Sequence, residues 1–257
     1  MKILVALKQV PARDSHLRLS ADGKWIDSSD LKFEINEPDA FALEEALQLR
    51  DAHGGEVVVL CAAPESAGTT TVREALAKGA DRALHVVADD IESWDSLGVA
   101  KLLAAAARQE NADLVLTGLQ SDDLGAGQTG VVMAELLGLP HATIIMQIEI
   151  LNGSLRVKRE LEDGLFQHVT MPMPALVTIQ SGIKKLRYAT LMGIKKARSK
   201  EVKALKPEEL GVAREASVEI LRVYAPERST GMTMLEGDTA SIVAQLVEKL
   251  KTEARVL

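Results

Sequence analysis

Cysteine is nearly missing from this chain. Cys61 is the one thiol in 257 residues, which excludes an internal disulfide and any all-cysteine metal or iron–sulfur site within the chain. It closes an apolar run, where a cysteine serves as a small hydrophobe. Long apolar runs are also missing: none reaches the ~18 residues of a membrane span. The opening Met1 to Leu7 is interrupted by Lys8, with no small-residue cleavage site behind it, so it reads as a first strand of a cytoplasmic protein rather than a signal peptide. The five histidines, His16, His53, His85, His141 and His168, are scattered, and none has acids or cysteines at metal-ligand spacing. No G-x-S-x-G elbow and no H-E-x-x-H helix occurs. The chain therefore shows no nucleophile, general base or metal centre of its own, and the expectation is that it is not an enzyme by itself. A net charge of −7 speaks against a general nucleic-acid binder.

What is present is a globular composition, 47% hydrophobic and 26% charged, long enough for one large domain or a domain with an appendage. Apolar runs suited to buried parallel strands recur at Ile3 to Leu7, Val57 to Ala62, Ala83 to Val87 and Leu114 to Thr117. Helical patterns lie between them, at Pro38 to Ala52, roughly Thr70 to Lys78, and Asp95 to Glu110. Such alternation predicts an α/β fold, a mostly parallel sheet with helices on both faces, Rossmann-like in kind. Ligands of such sheets sit at the carboxyl ends of the strands, here Ala6 to Lys8, Cys61 to Pro64, and Gly118 onward. Asn36-Glu37-Pro38-Asp39, just before a helix, has the chemistry to face a ligand and equally that of a helix start.

The stretch from Gly118 to Gly130 is the sharpest motif. An apolar run ends in a loop of Gly, Asp, Gln, Ser and Thr, and the helical pattern Val131 to Leu137 follows at once. Helix N-termini present unpaired N–H groups, so an anion such as a nucleotide phosphate is the expected occupant. Gly125 to Gly130 spells G-x-G-x-x-G, but the dinucleotide fingerprint wants its first glycine directly after the strand, and Leu119 to Leu124 intervene; the acid needed some twenty residues on falls on Glu149, inside an alternating strand. NAD is disfavoured for that reason. Asp122 and Asp123 would repel a phosphate, so they are expected to point to ribose hydroxyls, to solvent or to a cap.

Beyond His141 the pattern alternates, at Thr143 to Leu151, Leu155 to Leu161, Leu165 to Met171 and Ala175 to Gln180, with Asn152-Gly153 and Asp163-Gly164 as turn signals. This predicts antiparallel strands added at one edge, Pro172 and Pro174 marking entry to the last of them. From Lys184 to Lys206 come nine Lys or Arg against Glu201 alone, leaving the rest of the chain at about −15. Three readings fit: a solvated face, a nucleic-acid patch, or a docking surface for an acidic protein. Tyr188 is its one aromatic, which gives base stacking little support. Leu191-Met192-Gly193-Ile194, apolar and flanked by charge, has the look of an interaction anchor. The tail to Leu257 is irregular until an amphipathic helix from about Thr239 to Glu253, and reads as an arm packing on a partner. The expected division is a nucleotide-binding core at 1–185 and a partner-recognition loop with C-terminal arm at 186–257.

Val157-Lys158-Arg159-Glu160-Leu161-Glu162-Asp163-Gly164, continuing through Gln167 and Pro174 to Thr178, together with Arg187-Tyr188-Ala189-Thr190-Leu191, Ala77 to Arg82 and Gln128-Thr129-Gly130, resembles the beta subunits of electron-transfer flavoprotein along nearly the whole chain. The resemblance implies an adenine-nucleotide α-hydrolase-like sheet and a heterodimer with an alpha subunit that holds most of an FAD, while this chain buries a structural AMP. By position the AMP contacts would be Ala6, Asn36, Glu37, Pro38, Asp39, Ala62, Leu119, Asp122, Asp123, Gly127, Gln128, Thr129 and Gly130. Leu191 would insert into a flavoprotein dehydrogenase, with Tyr188, Ile194, Lys195 and Lys196 around it, and a downstream oxidoreductase or quinone-linked acceptor would take the electrons on. Glu160 would pair with the mobile flavin domain, and the arm from about Ser199 would embrace the alpha subunit. The family loop often carries three acids and an Asn before Gln-Thr-Gly, where this chain has Asp122 to Gly127, and Arg13 stands near the position where some relatives put an aromatic beside the flavin. Relatives that bifurcate electrons carry a second FAD in place of AMP and favour a valine after the glutamine; Gln128-Thr129 resembles the AMP group. A stand-alone nucleotide-binding protein of the universal-stress kind is the rival from another class.

Overall fold

The apolar runs become strands. In the computed structural model, which describes residues 1–214, 216–226 and 232–257, the first half alternates strand and helix as the pattern required. The elements are β1 (Lys2–Leu7), β2 (Gln9–Pro11), β3 (Phe33–Ile35), α1 (Glu37–His53), β4 (Glu56–Ala63), α2 (Thr71–Lys78), β5 (Arg82–Val87), α3 (Ser96–Arg108), β6 (Leu114–Gly118) and α4 (Thr129–Leu137). The second half adds β7 (His141–Leu151), β8 (Ser154–Glu160), β9 (Phe166–Pro172), β10 (Ala175–Ile179), α5 (Leu191–Ala197), β11 (Val202–Leu205) and α6 (Thr239–Thr252). Local signals set the boundaries. Pro38 sits in the first turn of α1, Asp95 accepts from Gly98 N at 2.8 Å to cap α3, and Gly138 ends α4 at φ 67°.

Among the described residues, one sheet holds nine strands in the order β11-β5-β4-β1-β6-β10-β7-β8-β9, and β2 pairs with β3 apart from it. Pairing is parallel from β11 through to β7 and antiparallel only across β7-β8-β9. One face buries Ile3, Val5, Val57 and Val177 with Leu43 and Leu47 of α1 and Leu76 of α2. The other buries Leu4, Val58 and Leu176 with Leu102 of α3 and Met133 of α4. Cys61, on β4, is sealed in the first of these cores.

The structure corrects one expectation. β10 is not the last antiparallel edge strand: it lies inside the sheet, parallel to β6 and β7, and all five of its residues are buried. Ala-Leu-Val-Thr-Ile is the continuous apolar run of a strand covered on both faces, and such strands are parallel. Pro172 ends β9 at the sheet's edge, where a missing N–H costs no ladder bond. The strand β7 serves two neighbours, with residues between His141 and Ile145 facing β10 and residues from Ile145 to Leu151 facing β8.

The basic segment also folds further than its composition suggested, into α5 and β11, the latter extending the sheet beside β5. Of the tail beyond it, residues 215 and 227–231 lie outside the described residues. The helix α6 begins as expected at Thr239, capped by Asp238 on Ser241 N at 2.8 Å, and none of its side chains is buried.

Candidate functional site

From β1 the chain winds outward to β4 and β5 with α1 on one face, then returns through α3 on the other face to β6, on the opposite side of β1. The strand order thus reverses between β1 and β6, and a crevice outside their carboxyl ends is where open α/β sheets bind ligands. The residues after both strands meet there. The β1–β6 ladder runs from Ile3↔Leu114 to Val5↔Leu116 and stops. Past that point Asp39 bridges the parting strands: Lys8 N donates to its Oδ2 at 2.7 Å and Gly118 N to its Oδ1 at 2.8 Å. Asp39 is buried, and desolvation pushes its carboxyl up to about 7 against the pull of those two N–H groups.

Asn36, 1% exposed, occupies the N-cap position of α1 without capping it through its side chain. It reaches instead across to the loop after β6, donating from Nδ2 to Gln120 O and accepting at Oδ1 from Asp122 N, each at 2.9 Å. Lys8 Nζ lies 2.6 Å from Asp123, and Arg13 pairs with Glu37 and stands 3.8 Å from Asp122. The two loop acids, whose repulsion was the objection to a phosphate, thus each have a cation at hand. Asp123 also accepts from Leu124 N at 2.8 Å.

Two glycines fix how closely the parts approach. A Cβ on Gly118 would collide with Asp39 Oδ1 and come within 2.7 Å of Pro38, so the start of α1 can rest on β6 only because position 118 has no side chain. A Cβ on Gly130 would lie 2.5 Å from Thr117 Oγ1 and 2.9 Å from Thr178 Cγ2, so the first turn of α4 can approach the strand ends. Gly125 and Gly127 adopt φ of 61° and 63° in the exposed loop, which glycine permits. The G-x-G-x-x-G string therefore straddles loop and helix instead of opening the helix.

The other expected nucleotide contacts distribute around this crevice. Ala6 is buried near the end of β1, Ala62 is half-buried near the end of β4, and Leu119 is half-buried directly after β6. Gln128 is exposed at the N-cap of α4 and makes no side-chain cap; Thr129 follows, half-exposed. The histidines stand apart. His85 is buried with Nε2 3.1 Å from Ala63 O, and desolvation lowers its pKa; the other four are exposed. The Asp39 bridge, the Asn36 span and the Lys8 contact carried no sequence signal beyond the placement of Asn36 to Asp39 before a helix and of Lys8 at a strand's carboxyl end.

A second site lies on α5. Thr190 caps it, accepting from Gly193 N at 3.0 Å, and presents Leu191 at 88% exposed with Tyr188, Met192 and Ile194 exposed beside it. Its scaffold is ionic. Arg187 donates to the buried Glu44 from Nε at 2.8 Å and from Nη2 at 3.1 Å, and reaches Asp51 at 3.3 Å. Lys184 stands 3.6 Å from the buried Glu45, whose carboxyl desolvation pushes up. Arg73 Nη1 donates to Ala197 O at 2.6 Å and Lys200 O at 2.8 Å, tying the end of α5 to α2. Gly193 rests on the carbonyl of Ala77, where a Cβ would collide. Lys195 and Lys196 remain exposed. The segment is thus neither a plain solvated face nor a loop. Glu160, at the end of β8, accepts from Gln180 Nε2 at 3.2 Å.

Fold and crevice define a doubly wound α/β protein with a separate, exposed short helix. The family model described as Electron transfer flavoprotein domain matches residues 24–210. The chain is 35% identical over 258 residues to "Electron transfer flavoprotein subunit beta" of Methylophilus methylotrophus, covering 96% of this chain and 97% of the relative. It is 37% identical over 259 residues to "Electron transfer flavoprotein subunit beta, mitochondrial" of Oryza sativa subsp. indica, covering 100% of both, and 33% identical over 250 residues to the Homo sapiens subunit beta, covering 96% and 97%. The chain belongs to the electron transfer flavoprotein family, with its beta subunits. No helix among the described residues is long and apolar enough to cross a membrane.

Proposed function

We propose that this chain is the beta half of a heterodimer with an alpha subunit, holding a structural AMP in the β1/β6 crevice and sharing at the subunit interface an FAD that supplies the electron-transfer chemistry. Electrons would come from flavoprotein dehydrogenases and pass to a downstream oxidoreductase or quinone-linked acceptor. The observation that carries this reading is a likeness to beta subunits that spans the chain end to end. The cytoplasmic setting expected from the sequence is part of the same proposal.

The residues fit an adenine nucleotide. Gly130 lets the first turn of α4, with its unpaired N–H groups, sit close on the strand ends where a phosphate would be held, Asn36 and Asp39 hold the crevice in one shape, and Lys8 and Arg13 offset the loop acids. Leu191 supplies grip on a dehydrogenase, while Lys195 and Lys196 raise the encounter rate, so high salt slows the reaction. Glu160 is the acid offered to the flavin-bearing part of the partner. The helix α6, with Val243 and Leu246 exposed, belongs to an arm that the alpha subunit covers. Co-expression with the neighbouring gene product, followed by purification, an absorbance spectrum and nucleotide extraction, tests the reading. One FAD with one AMP is expected; two FAD would make it a bifurcating complex, and no flavin and no partner would overturn it.

A further inference from the structure

Strand β8 turns alternate residues to the core: Leu155 and Val157 are both essentially inaccessible to solvent, and the next position in that row is Arg159. A guanidinium thus ends an apolar row. Its Nε is sealed from solvent with no hydrogen-bond partner. The two terminal nitrogens are not sealed, and among the described residues the side chain forms no ion pair. The other two cations of the strand are placed differently: Lys158, on the opposite face, lies 3.7 Å over the ring of Phe166, and Arg156 is exposed. Around the tip of this hairpin Leu161 and Leu165 are exposed apolar side chains, while Phe166 is exposed on the face of Lys158.

A guanidinium whose Nε–H is sealed without an acceptor is one hydrogen bond short, and a buried donor left unpaired is unfavourable. The fork of Arg159 reaches the surface on the strand that leads into the tip bearing Leu161 and Leu165, and an arginine with exposed apolar residues close by in the chain has the composition of an interface hot spot. We infer that Arg159 is one half of an intermolecular ion pair, and that a carboxylate of the alpha subunit inserts at the β8–β9 tip to complete it. This rests on the heterodimer proposed above. Bidentate geometry suits a carboxylate, and arginine, not lysine, is the residue that holds one in a partly buried setting.

The test is subunit exchange in the purified heterodimer, with a labelled beta chain as competitor. Arg159→Met keeps the volume and the apolar row, and is expected to raise the exchange rate on the order of 30-fold or more, the lower end of what losing one partner of a desolvated pair does. Arg159→Lys should fall between the two, and Arg156→Met on the same strand should exchange like the wild type. Wild-type exchange by Arg159→Met, with the heterodimer formed, overturns the inference alone. Loss of FAD from that variant at an unchanged exchange rate overturns it too, since the fork would then hold a phosphate. Failure of the wild-type chain to form a heterodimer at all overturns instead the reading on which it rests.

Discussion

Asp39 shows how one side chain can decide the shape of a site. Its two oxygens accept from the backbone N–H groups of Lys8, just past β1, and of Gly118, at the end of β6, so Asp39→Asn can satisfy one and must turn its NH2 toward the other. The expected loss is about 1–3 kcal/mol of stability. The pH dependence has a definite sign. Burial raises the folded pKa to about 7, above the unfolded carboxylate at about 3.9, so between these values the native state binds a proton that the unfolded chain does not. Stability from this group then falls as pH rises through that window. The Asn variant lacks the effect, so its deficit in urea midpoint should be larger at pH 5 than at pH 7.5; a deficit that grows toward pH 7.5 would refute the assignment. Glu110 has the opposite sign. Hydrogen bonds from Arg82 hold its carboxyl below the usual range, so its contribution is present above the ordinary carboxylate pKa and lost as acid is added. None of this was legible in the residues themselves, because an acid in the first turn of a helix looks the same whether it caps, faces a ligand or bridges two strands.

Among elements, α4 and α5 carry the two proposed activities, and both are seated by a glycine. Gly130→Ala sets a methyl against the buried Thr117 and Thr178, so α4 must retreat from the crevice. AMP recovered per heterodimer should drop several-fold while FAD stays, as nucleotide extraction would show. Leu191→Ala, by contrast, removes an exposed side chain and should leave the melting temperature unchanged, since such surface changes stay within about 0.5 kcal/mol. It should lower electron transfer from the dehydrogenase about tenfold or more through KM, as loss of an anchor does; unaltered steady-state kinetics would remove Leu191 from the docking role. The sequence announced α4, because an apolar strand, a glycine-bearing loop and a helical pattern follow one another there. It concealed α5 and β11, for a helix of seven residues and a strand of four are too short for a period to stand out among so many lysines. It misplaced β10, because Ala175 to Gln180 follows three alternating strands, and periodicity cannot tell a strand's neighbours.

At the scale of the molecule, the alternation of strand and helix made the class of fold readable, and the right-handed crossover rule limits how such units can be joined. The order of strands was out of reach: nothing in β10 or β11 says that one inserts at the middle and the other at the far edge. The exposed helix α6 makes the remaining prediction. None of its side chains is buried within the chain, so removing residues 239–257 should leave the thermal unfolding of the rest of the chain nearly unchanged. Co-purification of the alpha subunit should fall sharply. A truncated chain that retains its partner in full would show that the arm grips nothing.

The burial of Cys61 has a practical side. It is wholly inaccessible in the interior of β4, and its surroundings push the thiol up to about 12, so it is neither reachable nor ionised near neutral pH. The native chain should therefore be silent toward maleimides and iodoacetamides. A cysteine introduced on an exposed position such as Arg156 or Leu191 would be the single site to accept a dye or a spin label, and the subunit contacts could be followed spectroscopically without first removing any native residue.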